Sequence, residues 1–501
     1  MRDTIFYASK DEKITPQEIA HADLARKLAG ECMVLLENDG VLPLKSRGEI
    51  ALYGNGVRKT IQGGTGSGSV NTRSITNIEK GFEEAGFTVT NKAWLDANDD
   101  HYKKMQEAYQ EWLEEEGKRR NVPPFLVSFD YPFSEPAPYT ISKEEVAGCK
   151  AKIAVYVISR NSGEGKDREY REGNYLFYPE ELDGIRNLIA GGKKLIVVLN
   201  IGGVMQLTEL KKIIGINAIV LMNQLGNLGG NALVDLISGA VTPSGKLADT
   251  WAVEYKDYPS SATFSHNNGN VDEEYYQEGI YVGYRYFDSF GVTPLYPFGY
   301  GLSYTSFDIK TVKVEQKSEF IVVSVKVRNT GDYYTGKEVV QIYLSKPQGQ
   351  MDMPYQELVA FQKTGELRPG EEECIDLEFP LELLAGYDTD SAAYLVEAGD
   401  YIVRVGADSA STQAAAVLTV KSRIMLKQCE NMAFADEKQE EIKSVRKAVK
   451  EEALWKIQLD LSKITPITVS YTREHAQLVN TVKDQITMQD VLDGKYTIKE
   501  M

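Results

Sequence analysis

AKIAVYVIS (151–159), KKLIVVLNIG (193–202) and NAIVLMN (217–223) are short runs of β-branched and other apolar residues with few polar interruptions. A strand with one wet face alternates, whereas a strand covered on both faces stays apolar throughout. Between and after these runs, 179–190, 205–213 and 229–238 carry helical spacing. Further back, EIALYG (49–54) and GFTVTN (86–91) repeat the strand pattern around a helix near 76–86. Strands alternating with helices define an α/β domain with a mostly parallel sheet covered on both faces. At the start, residues 15–37 read as a helix, with Ala20, Leu24, Leu28 and Cys32 on one stripe and Thr15 and Glu18 spaced as a capping box. From Trp94 to Cys149 runs a charged, Pro-bearing insertion containing HYKKMQEAYQEWLEEE (101–116), read as partly helical. It either covers or lines something, or is a solvated excursion.

Forward of Phe307 the period changes to two. IVVSVKVRN (321–329), EVVQIYLS (338–345), CIDLEFP (374–380) and YIVRVGA (401–407) alternate, separated by turn signals such as NTGD (329–332) and EAGD (397–400). This is the pattern of a β-sandwich of about 100 residues. After 420 the chain becomes highly charged and has no obvious core of its own.

The 501 residues suggest about three domains. No apolar run reaches the roughly 18 residues of a membrane span, and MRDTIFYASKDEKITPQE at the start lacks the apolar core of a secretion signal. Four scattered cysteines fit a reducing compartment rather than a disulfide scaffold, so the expected location is cytoplasmic. A net charge of −17 argues against nucleic acid or an anionic membrane as partner. The four histidines lack metal-binding spacing, and G-x-S-x-G is absent. No metal or cofactor is expected.

Two glycine-bearing loops stand out. NSGEGKDREYREGNYLFYPEE (161–181) directly follows an apolar strand, where ligands of open α/β sheets bind. Within it Glu164 lies between two glycines, followed by Asp167, Arg168, Glu169, Arg171 and Glu172. So charged a loop is also what plain solvated surface looks like. GGTGSGS (63–69) lacks the Lys-Ser/Thr ending of a phosphate loop; it is either a connector or a source of N–H groups and hydroxyls for a neutral ligand.

VLLENDGVLPL (34–44), the SGEG loop (162–165), GGNALVDLISGAVTPSGKLADTW (229–251), EGIYVGYRYFDSFGVTPLYPFGYGLSYTSF (278–307) and NTGDYYTGKEVVQIYL (329–344) together resemble family 3 glycoside hydrolases of the β-glucosidase group. The resemblance implies a six-stranded, mostly parallel α/β sandwich at 41–306 after an N-terminal helical segment (1–40). A fibronectin type III-like β-sandwich follows at 307–420, with PFGYGLSY (297–304) linking the two. It also implies a retaining β-glycosidase in which Glu164 is the general acid/base. Asp167 and Arg168 would hold Glu164 or touch sugar hydroxyls, with Ser67 and Ser69 as further contacts. The ligand would be a small β-glycoside or oligosaccharide.

There are two departures from the family pattern. Leu228 stands where members usually carry Glu, and no Ser-Asp-Trp nucleophile segment occurs, the nearest being Asp249-Thr250-Trp251. The nucleophile belongs to a (β/α)8 barrel of roughly 250 residues, more than the residues after 420 supply. Residues 421–501 therefore read as a linker toward a barrel in an enzyme of swapped domain order, and a barrel-bearing chain or self-association is the expected partner. The competing expectation is a non-catalytic carbohydrate-binding or assembly protein on the same scaffold.

Overall fold

The computed structural model describes residues 13–70, 72–162, 164, 167–432, 442, 461, 464–471 and 492–495. The N-terminal stretch 1–12 and most of the expected linker 421–501 lie outside the described residues. The chain forms two compact units. The first holds the described residues up to Tyr255 together with Tyr300–Ser306 and Gly331–Lys337; the second holds the remainder. The segment Lys256–Gly299 thus falls in the second unit, whereas the sequence reading runs the first domain to 306.

In the first unit, α1 (Pro16–Cys32) begins with the expected reciprocal capping box between Thr15 and Glu18. It ends earlier than its sequence pattern suggests, because Val34–Asn38 is strand β1. Val34, Leu35 and Leu36 are buried side by side, and β1 pairs antiparallel with β6 (Ile216–Leu221). The remaining strands are β2 (Glu49–Tyr53), β3 (Thr88–Val89), β4 (Ile153–Arg160) and β5 (Lys194–Ile201), giving the order β1-β6-β5-β4-β2-β3. All pairings except β1–β6 are parallel.

Burial explains the uninterrupted apolar runs: Ala154 to Ile158 and Leu195 to Leu199 are each at most 1% exposed. Helices α2 (Ile78–Glu84) and α8 (Gly229–Ile237) pack on one another, and α1 also packs on α8. A side chain on Gly81 would lie 2.5 Å from the Gly230 carbonyl oxygen, so two glycines let these helices touch backbone to backbone. Helix α6 (Pro179–Ala190) lies on β4 and β5 and packs with α5 (Lys143–Gly148). The insertion is more helical than expected. It contains the 29-residue α3 (Lys92–Arg120), closed by left-handed Asn121, and the short α4 (Pro124–Asp130). A one-turn α7 (Thr208–Lys211) completes the unit.

The second unit opens with an aromatic segment around α9 (Tyr284–Phe290), where Tyr284 stacks on Phe298 at 4.7 Å. Its strands are β7 (Phe307–Lys317), β8 (Phe320–Asn329), β9 (Val339–Ser345), β10 (Glu357–Lys363), β11 (Glu372–Pro380), β12 (Gly386–Asp388), β13 (Ala393–Val396), β14 (Gly399–Gly406), β15 (Gln413–Val420), β16 (Ile424–Gln428) and β17 (Ile467–Thr468). They form the sheets β10-β9-β14-β15-β17, β11-β8-β7 and β12-β13-β16. Val323, Val325 and Val327 share a core with Val340, Ile342, Leu344, Val403 and Leu418, all fully buried. The five-stranded sheet and the sheet β11-β8-β7 therefore bury faces against each other, as a sandwich does.

Candidate functional site at the strand ends

Strand order marks a candidate site at one end of the sheet. From β2 the chain adds β3 on one side, then returns to add β4, β5 and β6 on the other. The direction of growth reverses between β2 and β4, and ligands of open α/β sheets bind beyond the carboxyl ends of the strands at such a switch point. The loops leaving those two ends are the Gly-rich segment after Tyr53 and the Glu164 loop after Arg160.

The structure brings these loops together. The Glu164 N–H donates to the Thr65 carbonyl (3.2 Å), and the Glu164 side chain lies across Gly66. Gly66 has φ +76°, and a Cβ there would sit 2.6 Å from Glu164 Cβ and 2.7 Å from Oε2. Only glycine adopts this backbone readily and leaves room for the carboxylate. Ser67 falls in the 3-10 turn Gly66–Gly68, and the exposed Ser69 closes it with its N–H on Gly66 O (3.0 Å). Glu164 and Asp167 are exposed; Gly163, Gly165 and Lys166 lie outside the described residues.

Arg168 turns toward Asn174, with Nε on its Oδ1 (3.0 Å) and Nη2 on its carbonyl oxygen (2.6 Å). Its Nη1 is buried with no hydrogen-bond partner among the described residues. Burial, and then the nearby Arg160 charge, push its guanidinium down to about 10. Glu169 pairs with Arg171, which also donates to Ser134 Oγ (2.8 Å). Tyr170 stacks on Tyr255 with ring centres 4.7 Å apart, and Tyr175 meets Tyr255 edge-on at 5.0 Å.

Sequence reasoning missed the residues that hold these loops. Arg160, 4% exposed, makes a two-pronged pair with Glu181 (2.9 and 2.6 Å) and donates to the Asn174 carbonyl (3.2 Å). Glu181 also accepts the Tyr178 N–H at the start of α6 (2.9 Å). Fully buried Asn200 accepts the Ile61 N–H (2.7 Å) and donates to the carbonyls of Ile61 (2.9 Å) and Asn223 (2.7 Å). The loop after β6 joins in through Gln224 to Asn161 Oδ1 (3.2 Å) and Gly226 N–H to Gln62 O (2.8 Å). The available signal was a charged or amide residue closing an apolar strand: Arg160 after VIS, and Asn200 in VVLNI. Such residues, buried, need partners.

Residues 33–284 match the model of the glycosyl hydrolase family 3 C-terminal domain, and residues 338–409 match that of the fibronectin type III-like domain. The chain belongs to glycoside hydrolase family 3. Beta-glucosidase A of Butyrivibrio fibrisolvens is 34% identical over 448 residues, covering 80% of this chain and 51% of that protein. A beta-glucosidase of Ruminococcus albus is 31% identical over 488 residues, covering 96% and 49% respectively. The solved structure of beta-glucosidase 3B from Thermotoga neapolitana in complex with α-D-glucose superposes with TM-score 0.72 at 37% identity, over 82% of this chain and 56% of that one. The chain therefore spans about half the length of the curated relatives it matches. Among the described residues, no helix is long and apolar enough to cross a membrane.

Proposed function

We propose that this chain supplies the acid/base half of a retaining β-glycosidase acting on terminal β-linked sugars, with Glu164 as general acid/base. The observation carrying this reading is the exposed Glu164 carboxylate laid on Gly66 at the strand-order switch point. In the first half-reaction Glu164 protonates the departing glycosidic oxygen, and in the second its carboxylate activates water. The nucleophile must be a second carboxylate about 5–5.5 Å away. We assign it to a barrel outside these residues, on a partner chain or a further segment. Arg168, whose Nη1 is spare among the described residues, and Asp167, Ser67 and Ser69 are the proposed sugar contacts from this side.

The test is Glu164→Gln in the chain assembled with its barrel. Loss of acid–base assistance costs a factor of about 10²–10⁴. Alkyl glycosides should suffer most, a dinitrophenyl glycoside should still form the intermediate, and azide should restore turnover. Equal losses for good and poor leaving groups without azide rescue would move the role to Glu169 or Glu172. Turnover of an aryl β-glucoside by the 501-residue chain alone would refute the division of carboxylates.

A further inference from the structure

The insertion between β3 and β4 does more than cover the sheet. Its irregular stretch 134–140 is bonded along α3 and borders a cleft of about 550 Å³, lined among others by His101, Met105, Ser134, Glu135, Tyr139 and Tyr178. That volume is in the range of small-molecule sites. The walls are fixed by hydrogen bonds that need no ligand. Tyr139 N–H donates to Asn98 Oδ1 (2.8 Å), Asn55 Nδ2 to the Pro136 carbonyl (2.9 Å), Trp94 Nε1 to the Thr140 carbonyl (3.2 Å), and Tyr178 Oη to the Glu135 carbonyl (2.7 Å).

The lining has two characters. Pro136, Ala137, Pro138 and Met105 give apolar surface beside the Tyr139 ring, which is 45% exposed and stands 6.1 Å from the His101 ring. Against this, Glu135 and Glu180 offer carboxylates and Ser134 a hydroxyl. Tyr102 Oη donates to Glu135 Oε1 (3.0 Å), which holds this carboxyl in place at the wall. No Lys or Arg is among the lining residues, the Arg171 guanidinium meeting them only at Ser134 Oγ (2.8 Å), and the Glu135 and Glu180 carboxyls disfavour an anion. Burial raises the affinity of Glu135 for its proton, which weakens the pull on a cation. A ring with C–H faces and a rim of hydroxyls matches both characters.

We propose that this cleft is a second, non-catalytic binding site for a neutral saccharide, gripped by Tyr139 and Glu135. Neither Glu164 nor the Gly-rich turn lines it, so it stands independently of the function assigned to Glu164.

Calorimetric titration of the full chain with cellobiose tests this, comparing the parent with Tyr139→Ala, Glu135→Gln and Glu164→Gln. Tyr139 is a surface side chain whose backbone bond to Asn98 survives the change, so Tyr139→Ala keeps the fold, as its thermal melt will show. Saturable binding should weaken at least about tenfold in Tyr139→Ala and Glu135→Gln and stay within about twofold in Glu164→Gln. Glucuronate should bind more weakly than glucose, and saccharide should shift the His101 ring resonances. No saturable binding up to tens of millimolar overturns the proposal. So does binding that Glu164→Gln abolishes and Tyr139→Ala spares, since the sugar would then sit at the switch point. A preference for a simple amine over cellobiose would equally reject it.

Discussion

The loop between β4 and α6 is built differently at its two ends. From Arg168 to Tyr178 it is nailed down by buried charge: Arg160 and Glu181, with side chains 4% and 5% exposed, grip each other, and Arg160 also donates to the Asn174 carbonyl. Around Glu164 the described contacts include a backbone bond to Thr65 and a side chain resting on Gly66, with the residue itself exposed. In the role proposed for Glu164, a general acid needs access to its substrate and a fixed position at once. The difference suggests how both are met: rigidity resides in the buried base, and access at the tip. The same loop also carries an exposed pair, Glu169–Arg171, at 49% and 40% exposure, which serves as an internal control.

Three substitutions break or sharpen this contrast. Arg160→Met should cost most, about 3–5 kcal/mol, because it strands the Glu181 carboxylate in the interior. Urea unfolding of the chain measures it, and a loss below about 1 kcal/mol would mean that the base is held by something else. Gly66→Ala should act on the tip. Its left-handed backbone and the clash with Glu164 store about 1–3 kcal/mol of strain. The loop sheds that strain by moving, so kcat/KM of the assembled enzyme should fall at least about tenfold while the melting temperature shifts by only a few degrees. Unchanged kcat/KM would separate the turn from Glu164. Arg171→Ala should cost least, within about 1 kcal/mol in the same urea experiment, as exposed pairs do. A larger value would show that its bond to Ser134, rather than Glu169, anchors the loop.

The sheet was legible in the sequence because burial on both faces leaves an unbroken apolar run. Strands β2, β4, β5 and β6 all stand where those runs lie. β1 was hidden because Val34-Leu35-Leu36 continues the spacing of α1, and short apolar runs do not distinguish helix from strand. Of the eleven described strands of the second unit, seven were not singled out in the sequence; β10 is only half-buried and β12 is three residues long, so neither carries a clear alternation. The loop bearing Glu164 was visible from its glycines and its place after a strand. Its anchoring was not, because Arg160 meets Glu181 and Asn200 meets Ile61 only after the chain has folded.

The interleaving of the two units has a consequence for synthesis. β1 is bridged on its outer side by Leu302, Leu36 O accepts from Tyr300 Oη (3.1 Å), and Glu31 pairs with Lys337 (2.6 Å). A ribosome delivers the last strand of the first sheet at Leu221, but the residues that finish its rim arrive only by Lys337. At about 5–20 residues per second that wait is of order ten seconds. During it Lys256–Gly299 and Phe307–Thr330, which belong to the other unit, have already emerged. The nascent chain must therefore hold an open rim while part of the other unit is being made, and that interval is when a chaperone would matter most to this protein.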